Sequence, residues 1–244
     1  MIGSFFNTFF YNPLYNGLIL LLDVLPWLDL GLAIVVFTIL VKLILFPLSQ
    51  KQIKTQIKIK EIEPKINEIK EKYLDKQERA VKTMELYKSE KINPFAGFLP
   101  ILIQIPIIFA LYFIFLRSGF PEINSEILYS FVKAPLDVNM MFLGLLDVSQ
   151  KSVILAVLAG ISQYFQAKLA SPITKKTEKG GLGEDFARSM SIQMRYVFPV
   201  MIFFIAYTIS AAVAIYWTTS NIFMIGQELY VKRFTVPKNH ENNK

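Results

Sequence analysis

Residues 31–48 read GLAIVVFTILVKLILFPL, an apolar run that contains one ammonium group, that of Lys42. A helix of this length and composition is long enough to cross the hydrocarbon core of a bilayer. A lysine at the centre of such a helix costs roughly 2.5–3.5 kcal/mol on insertion, so it usually faces protein or water and serves a function there. The alternative is that the Lys42 stem extends toward the membrane surface near Ser49. Lys42 is therefore the first candidate functional residue.

The whole chain has the composition of a membrane protein. Of its 244 residues, 53% are hydrophobic and 14% are aromatic, and the apolar residues come in long blocks. The absence of cysteine excludes disulfides, thiol chemistry, Cys-ligated metal and Cys-linked lipid. The single histidine, His240, lies in a polar tail, and no Ser-His or paired-carboxylate arrangement is visible. The sequence therefore predicts no enzyme, no metal site and no cofactor.

Five apolar segments are predicted to span the membrane. The block from Tyr196 to Tyr230 is too long for one span of about 20 residues, so it is divided near Ser210–Ala212. The apolar stretch 14–25 is only a dozen residues long. We therefore assign it to an interfacial or amphipathic segment, and a sixth span there is the weaker alternative. The predicted spans are 30–49, 93–117, 152–170 and two within 195–231.

The distribution of basic residues predicts the orientation of these spans. Twelve Lys and Arg lie in residues 50–92, whereas residues 1–31 have none and residues 118–150 have only Lys133. Positive charge accumulates on the cytoplasmic side, which predicts an external N-terminus, five crossings and a cytoplasmic C-terminus. The predicted cytoplasmic segments are 50–92, 171–194 and 232–244, and the predicted external segments are 1–29 and 118–151.

Residues 50–92 are predicted to form a helical hairpin. Apolar residues recur mostly every three to four positions among Lys and Glu, on both sides of a polar break at Asp75–Gln77. Pro64 predicts a kink or a new helix start. The hairpin has two possible roles: a charged cap on the bundle, or a mobile element that meets client proteins. The recurring apolar residues are Ile53, Ile57, Ile62, Ile66, Ile69, Tyr73, Val81, Met84 and Tyr87.

Uncharged polar side chains are present in the other predicted spans. Buried polar groups need partners, so hydrogen bonds between helices are one explanation for them. Thr38 and Lys42 share one helical face, as do Trp217 and Asn221. If these faces converge, they line a polar, cationic pocket inside the bilayer. The polar residues are Gln104, Gln163, Gln166, Thr218, Thr219, Ser220, Asn221 and Gln227.

Several motifs resemble those of one membrane protein family. The strongest is LYKSEKINPFAGFLPILIQIPIIFALYFIF, residues 86–115. Its residues in the family's register are Asn93, Pro94, Gly97, Pro100, Gln104 and Pro106. Residues 31–52, 159–172 and 215–227 match further core spans. The chain thus resembles the YidC/Oxa/Alb family of membrane protein insertases, and its bacterial YidC branch fits best. Lys42 falls where this family usually carries an intramembrane arginine.

The resemblance implies an all-α membrane protein with five transmembrane helices around a hydrophilic groove and a cytoplasmic helical hairpin between the first and second spans. It implies an insertase and chaperone of the bacterial cytoplasmic membrane that moves short polar client segments across and releases hydrophobic segments into lipid. The implied partners are newly made membrane proteins and the bilayer, with the Sec translocon and the ribosome as further candidates, and no specific nucleic-acid sequence. The implied groove residues are Lys42, Thr38, Gln104, Gln166, Tyr216, Trp217 and Asn221.

Two residues depart from the family pattern. Lysine at position 42 offers a compact point charge in place of arginine's planar fork of donors. Ala212 stands where the family usually has glycine, which predicts a looser turn between the last two spans.

Two other functions stay open. One is a small-molecule or ion transporter or channel that uses the same polar site, although the sequence has no inverted repeat. The other is a structural assembly factor that works through its hairpin.

Overall fold

The computed structural model describes residues 2–73, 75–93, 99–116, 122–170 and 188–235. Several sequence predictions concern residues outside these ranges. They are the polar loop up to residue 187, the tail from residue 236 with His240, and the motif residues Pro94 and Gly97.

The described part of the chain is predominantly helical, with one short sheet that the all-α prediction did not include. The helices in the first half are α1 (Ile2–Phe6), α2 (Asn12–Val24), α3 (Leu30–Ile44), α4 (Phe46–Glu61), α5 (Glu63–Lys72) and α6 (Lys76–Ser89). The later ones are α7 (Leu99–Leu116), α8 (Val153–Ala170), α9 (Phe198–Ile209) and α10 (Ala211–Thr235). Strand β1 (Met141–Phe142) pairs antiparallel with β2 (Leu146–Asp147).

Helix α3 ends earlier than the predicted span. The sequence predicts a span to residue 49, whereas α3 ends at Ile44 and meets α4 at a bend of 64°. Pro47 lies in the first turn of α4. A proline has no backbone N–H, and its ring clashes with the carbonyl four residues earlier, so a continuous helix is disfavoured there. The bend places α4 at an angle to the apolar helix that carries Lys42.

The apolar helices differ in how well they fit a membrane crossing. Within the described ranges, two helical segments are long and apolar enough to cross: α8 and the run Arg188–Ile209, which includes α9. The bent pair α3 and α4 adds a third if it is read as one span, and the apolar helical segment Gln104–Phe115 is shorter. Helix α10 has 25 residues but carries polar side chains in its middle. The structure is thus that of a helical membrane protein, and the five-span topology stays a prediction.

A single residue, Ser210, separates α9 from α10, so the looser turn predicted from Ala212 is not seen. Ser210 has extended backbone angles. The first amides of α10 are capped from a preceding loop, because Ala211 N donates to Gln150 O at 2.8 Å and Ala212 N donates to Val148 O at 3.0 Å. These bonds satisfy donors that the helix start leaves unpaired.

One apolar core joins α2, α3, α7, α8, α9 and α10. Small residues allow close approach within it: a Cβ on Gly160 of α8 would lie 3.1 Å from the carbonyl oxygen of Pro199. Close contact of this kind is how helices pack in lipid, where burial from water no longer drives association. Buried members of the core include Ile19, Ala33, Ile114, Ala159, Ile202 and Ala214.

One face of helix α2 packs into this core, and the interfacial assignment of residues 1–29 stays a prediction. Tyr15 and Asn16 attach it to the loop between α7 and β1. The Tyr15 hydroxyl accepts from Asn124 N at 2.8 Å. Asn16 donates to Ile127 O at 2.9 Å and accepts from Tyr129 N at 2.6 Å. One amide side chain therefore satisfies two backbone groups more than 100 residues away.

We expect Asn16→Ala to lower the free energy of unfolding by about 1–3 kcal/mol for each buried backbone group left unpaired. Thermal unfolding in detergent measures this change. Asn7→Ala is the matched control, because Asn7 is exposed near the start of the same helical region. Equal midpoints for the two variants would contradict the role of Asn16.

The hairpin segment has a small apolar cluster of its own. Ile62, Ile66 and Ile92 are buried together. An ion pair of 2.6 Å joins Lys65 to Glu90 beside this cluster. Helix α5 starts at Glu63 with Pro64 in its first turn, so the chain restarts a helix where the sequence predicts a kink or a new start. On α6, by contrast, Val81 and Met84 are exposed.

Candidate functional site

Lys42 lies on α3 and faces α10. Its Nζ is 3.6 Å from the Sδ of Met224, a weak acceptor. Among the described residues, Lys42 forms no ion pair. Thr38, one turn earlier, is buried and donates its hydroxyl to Ile34 O at 2.6 Å. The ammonium group is therefore held near a neutral thioether, with no counter-charge in the described part of the chain.

Thr38, Lys42 and Tyr216 line a common cavity between α2, α3, α7 and α10. The cavity has a volume of about 30 Å³, and a buried water needs roughly 10–15 Å³. The rest of the lining is apolar, including Phe37 and Ile107. The cavity thus has room for about two waters beside a single cation. No cluster of His, Asp and Glu suited to a metal ion occurs among the residues described.

Gln104 does not line this cavity, but it connects α7 to α10 through Tyr216, which does. Its Nε2 donates to the Tyr216 hydroxyl at 3.0 Å. The same hydroxyl is hydrogen-bonded to the Ser220 side chain, one turn further along α10. The polar groups of Gln104 and Tyr216 are thus bonded to each other.

The other three predicted groove residues lie in a second network, between α8 and α10. Trp217 Nε1 donates to Gln163 Oε1 at 3.1 Å, and Gln163 Nε2 donates to Gln166 Oε1 at 3.3 Å. Asn221 Nδ2 donates to Ser162 Oγ at 3.1 Å. The structure does not place Gln166, Trp217 or Asn221 on the Lys42 cavity.

The geometry of α10 explains this division. Successive residues of a helix are about 100° apart around its axis, so Tyr216 and Trp217 face different neighbours. Tyr216 and Met224 lie toward the cavity and Lys42, whereas Trp217 and Asn221 lie toward α8. Helix α10 therefore contributes residues both to the set near the Lys42 cavity and to the network with α8.

Gln163 and Ser220 were identified from the sequence among the polar residues of the spans but were not assigned to the groove. Ser162 was missed. It lies four residues before Gln166 on α8, and that spacing was the available signal. Met224 is apolar, and nothing in the sequence singles it out as the neighbour of Lys42.

Contacts at the far end of α10 hold it to α4 and α8. Gln227 Nε2 donates to Phe46 O at 3.2 Å, at the start of α4. Lys232 Nζ donates to Leu169 O at 2.8 Å and lies 2.7 Å from Glu228 Oε1. These contacts fix α10 relative to the bend beyond Lys42.

Comparison with known proteins identifies the family. Residues 23–239 match the family model described as 60Kd inner membrane protein. The chain belongs to the YidC/Oxa/Alb family. The resemblance seen in the sequence motifs is thereby confirmed.

Three relatives named membrane protein insertase YidC illustrate the match. The protein of Fusobacterium nucleatum is 34% identical over 229 residues, which cover 93% of this chain and 98% of the relative. The protein of Clostridium tetani is 32% identical, and the match covers 100% of this chain and 93% of the relative. The protein of Oceanobacillus iheyensis is 35% identical, and the match covers 83% of this chain and 74% of the relative. These relatives support membrane protein insertion as the general function and the inner membrane as the location.

Proposed function

We propose that this chain inserts client membrane proteins by attracting short polar segments toward Lys42, in a hydrated groove bounded by α3, α7 and α10. The Lys42 ammonium group carries this proposal. It lies within an apolar helix and beside a small cavity, and its hydrogen-bond partner in the described part of the chain is the neutral thioether of Met224. Its charge is therefore available to a client carboxylate.

Electrostatics makes such a group useful for insertion. A translocating segment must leave water and cross hydrocarbon about 30 Å thick. Opposite unit charges 4 Å apart attract by about 4 kcal/mol at an effective dielectric constant of 20. Water in the groove also keeps polar backbone groups of the client solvated through part of the path. Both effects lower the barrier for a short acidic segment.

The groove must open for a client to enter. A cavity of about 30 Å³ is too small for a polypeptide, so α7 or α3 has to move away from α10. Between α7 and α10 the Gln104–Tyr216 hydrogen bond is broken in this step. A neutral hydrogen bond contributes only about 0.5–1.5 kcal/mol net, so this contact is a weak barrier. The client's hydrophobic segment then moves sideways into lipid.

The two polar groups have different roles in this proposal. Thr38, Lys42, Gln104 and Tyr216 contact the client's polar segment. Gln166, Trp217 and Asn221, which the sequence assigned to the same groove, instead fix α8 against α10. Proposed partners are newly made membrane proteins and lipid, with the Sec translocon and ribosome as candidates. The distribution of basic residues supports an external N-terminus and a cytoplasmic hairpin and C-terminus.

Changes in the helical hairpin of residues 50–92 distinguish an insertase from a transporter and from a scaffold. An insertase needs both groove and hairpin, a transporter needs the groove alone, and a scaffold needs the hairpin alone. Ile62 and Ile92 lie in one cluster, so a short Gly/Ser linker can replace residues 63–91. We expect this variant to lose most insertion of a short single-span reporter in bacteria depleted of their own insertase.

A milder change in the hairpin is the matched control. Lys65→Ala with Glu90→Ala removes an exposed ion pair but keeps both helices, and exposed pairs contribute only about 0–1 kcal/mol. This variant should insert the reporter like the parent chain. Full insertion with residues 63–91 replaced, at equal protein level, would contradict a role for the hairpin.

A further inference from the structure

The hairpin of β1 and β2 exposes apolar side chains that the insertion site does not use. Its sequence is MFLGLLD, residues 141–147. The charged residue in it, Asp147, lies at the end of β2 opposite Met141 and accepts from Ser149, whereas residues 142–146 are uncharged. Leu143 is 58% exposed and Leu145 is 84% exposed. The hairpin lies outside every helix, so its apolar surface is not explained as the flank of a membrane span.

The hairpin is attached to the first turn of α3. Asp29 caps α3 with Oδ1, which accepts from Leu32 N at 2.8 Å, and its Oδ2 accepts from Leu143 N at 3.0 Å. Leu30 N donates to Asn139 O at 2.8 Å. A Cβ on Gly31 would clash with the Phe142 ring, so the strand packs directly on the helix. These contacts hold the hairpin where the apolar helix begins.

The turn between β1 and β2 has backbone angles that are unfavourable for Leu143. Leu143 has a φ of +52° and Gly144 a φ of +71°. The left-handed region costs free energy for a bulky residue and favours Gly, Asn or Asp. The turn therefore carries an exposed leucine at a position where Gly, Asn or Asp would cost less free energy.

We propose that this hairpin is a lipid anchor, with Leu143 and Leu145 inserted at the boundary between headgroups and acyl chains. Lipid is the occupant that the position favours, because the hairpin is fixed at the start of an apolar helix, and the tip between its strands, residues 142–146, carries no charge. Trp27, two residues before Asp29, is 75% exposed, and tryptophan is enriched at membrane interfaces. In the proposed orientation this is the outer leaflet.

The anchor sets the depth of α3 in the bilayer. Lys42 follows Asp29 by 13 residues, so it lies about 20 Å further along the helix at a rise of 1.5 Å per residue. An anchored N-terminal end therefore keeps the ammonium group at a constant depth. This consequence depends on the proposed role of Lys42, whereas the anchor itself does not.

The absence of cysteine makes the test direct. Leu145→Cys is labelled with an environment-sensitive fluorophore and placed in nanodiscs of phosphatidylethanolamine and phosphatidylglycerol. We expect blue-shifted emission, strong quenching by lipids with a nitroxide near the top of the acyl chain, and weak quenching by iodide. Glu126→Cys, at an exposed position of the same loop region, should show the reverse.

Two outcomes would overturn the anchor. Iodide quenching at position 145 as strong as at position 126 would place the hairpin in water. Weak quenching by both agents would mean that protein, such as a second copy, covers it. A second measurement needs no label: in Trp217→Phe, Trp27 is the single tryptophan, and brominated lipid should quench it more than iodide does.

Discussion

Lys42→Ala is expected to reduce insertion of a reporter with an acidic translocated segment by at least about tenfold, the effect of losing 1.4 kcal/mol of stabilisation. Without the ammonium group, the described residues that line the cavity offer a carboxylate no positive charge. Lys42→Arg should retain insertion, because the charge is kept. The measurement is the membrane-inserted fraction of the reporter in insertase-depleted bacteria, at equal protein level.

The controls separate charge from other effects. Lys51→Ala makes the same substitution at an exposed position of α4 and should leave insertion unchanged. A reporter whose translocated segment is neutral should depend less on Lys42 than an acidic one. Full insertion of the acidic reporter by Lys42→Ala would mean that Lys42 only extends toward the membrane surface. The mechanism would then depend on the helical hairpin of residues 50–92 and on the apolar helices.

The fold was largely predictable where hydropathy decides it. The helix break at Ser210 was predicted near Ser210–Ala212, because an apolar block of that length cannot be one span. The bend of 64° between α3 and α4, inside the predicted span 30–49, was not predicted, although Pro47 was visible in the sequence. Hydropathy does not show where α3 ends, because the first turn of α4 is also apolar. Only the backbone geometry of proline marks the bend.

Tertiary contacts decided the features that sequence reasoning missed. Helix α2 is short and apolar, and such a segment looks the same whether it lies on a membrane or in a core. Asn16 was not singled out, because its partners are backbone groups of a distant loop. The strand pair is only two residues long on each side, too short for an alternating pattern to show.

The candidate site was predicted in composition but not in arrangement. The polar residues were found because amides and hydroxyls stand out in apolar helices. Their division into two groups depends on which neighbour each face of α10 meets, and the sequence does not contain that information. The adjacent residues Tyr216 and Trp217 therefore appear in one set by sequence and in two networks in the structure.

Trp217→Ala is expected to lower the free energy of unfolding by about 3–5 kcal/mol, the range for a buried tryptophan replaced by alanine. Trp217 is 4% exposed and fills the contact between α8 and α10. Trp217→Phe keeps most of the packing but leaves Gln163 Oε1 without its donor, which costs about 1–3 kcal/mol. Thermal unfolding in detergent measures both. Trp27→Ala is the matched control, since that side chain is largely exposed and should shift the midpoint little.

Stability and insertion should respond in opposite ways at the two sites. If Trp217 acts by fixing α8 against α10, Trp217→Phe should insert the reporter normally per folded molecule although it unfolds earlier. Lys42→Ala should do the reverse, because removing an unpaired charge from an apolar helix does not weaken packing. A Trp217→Phe protein that unfolds like the parent but inserts poorly would mean that Trp217 belongs to the residues that contact the client. The proposed division of the polar residues would then be wrong, since a residue bonded toward α8 would be contacting the client.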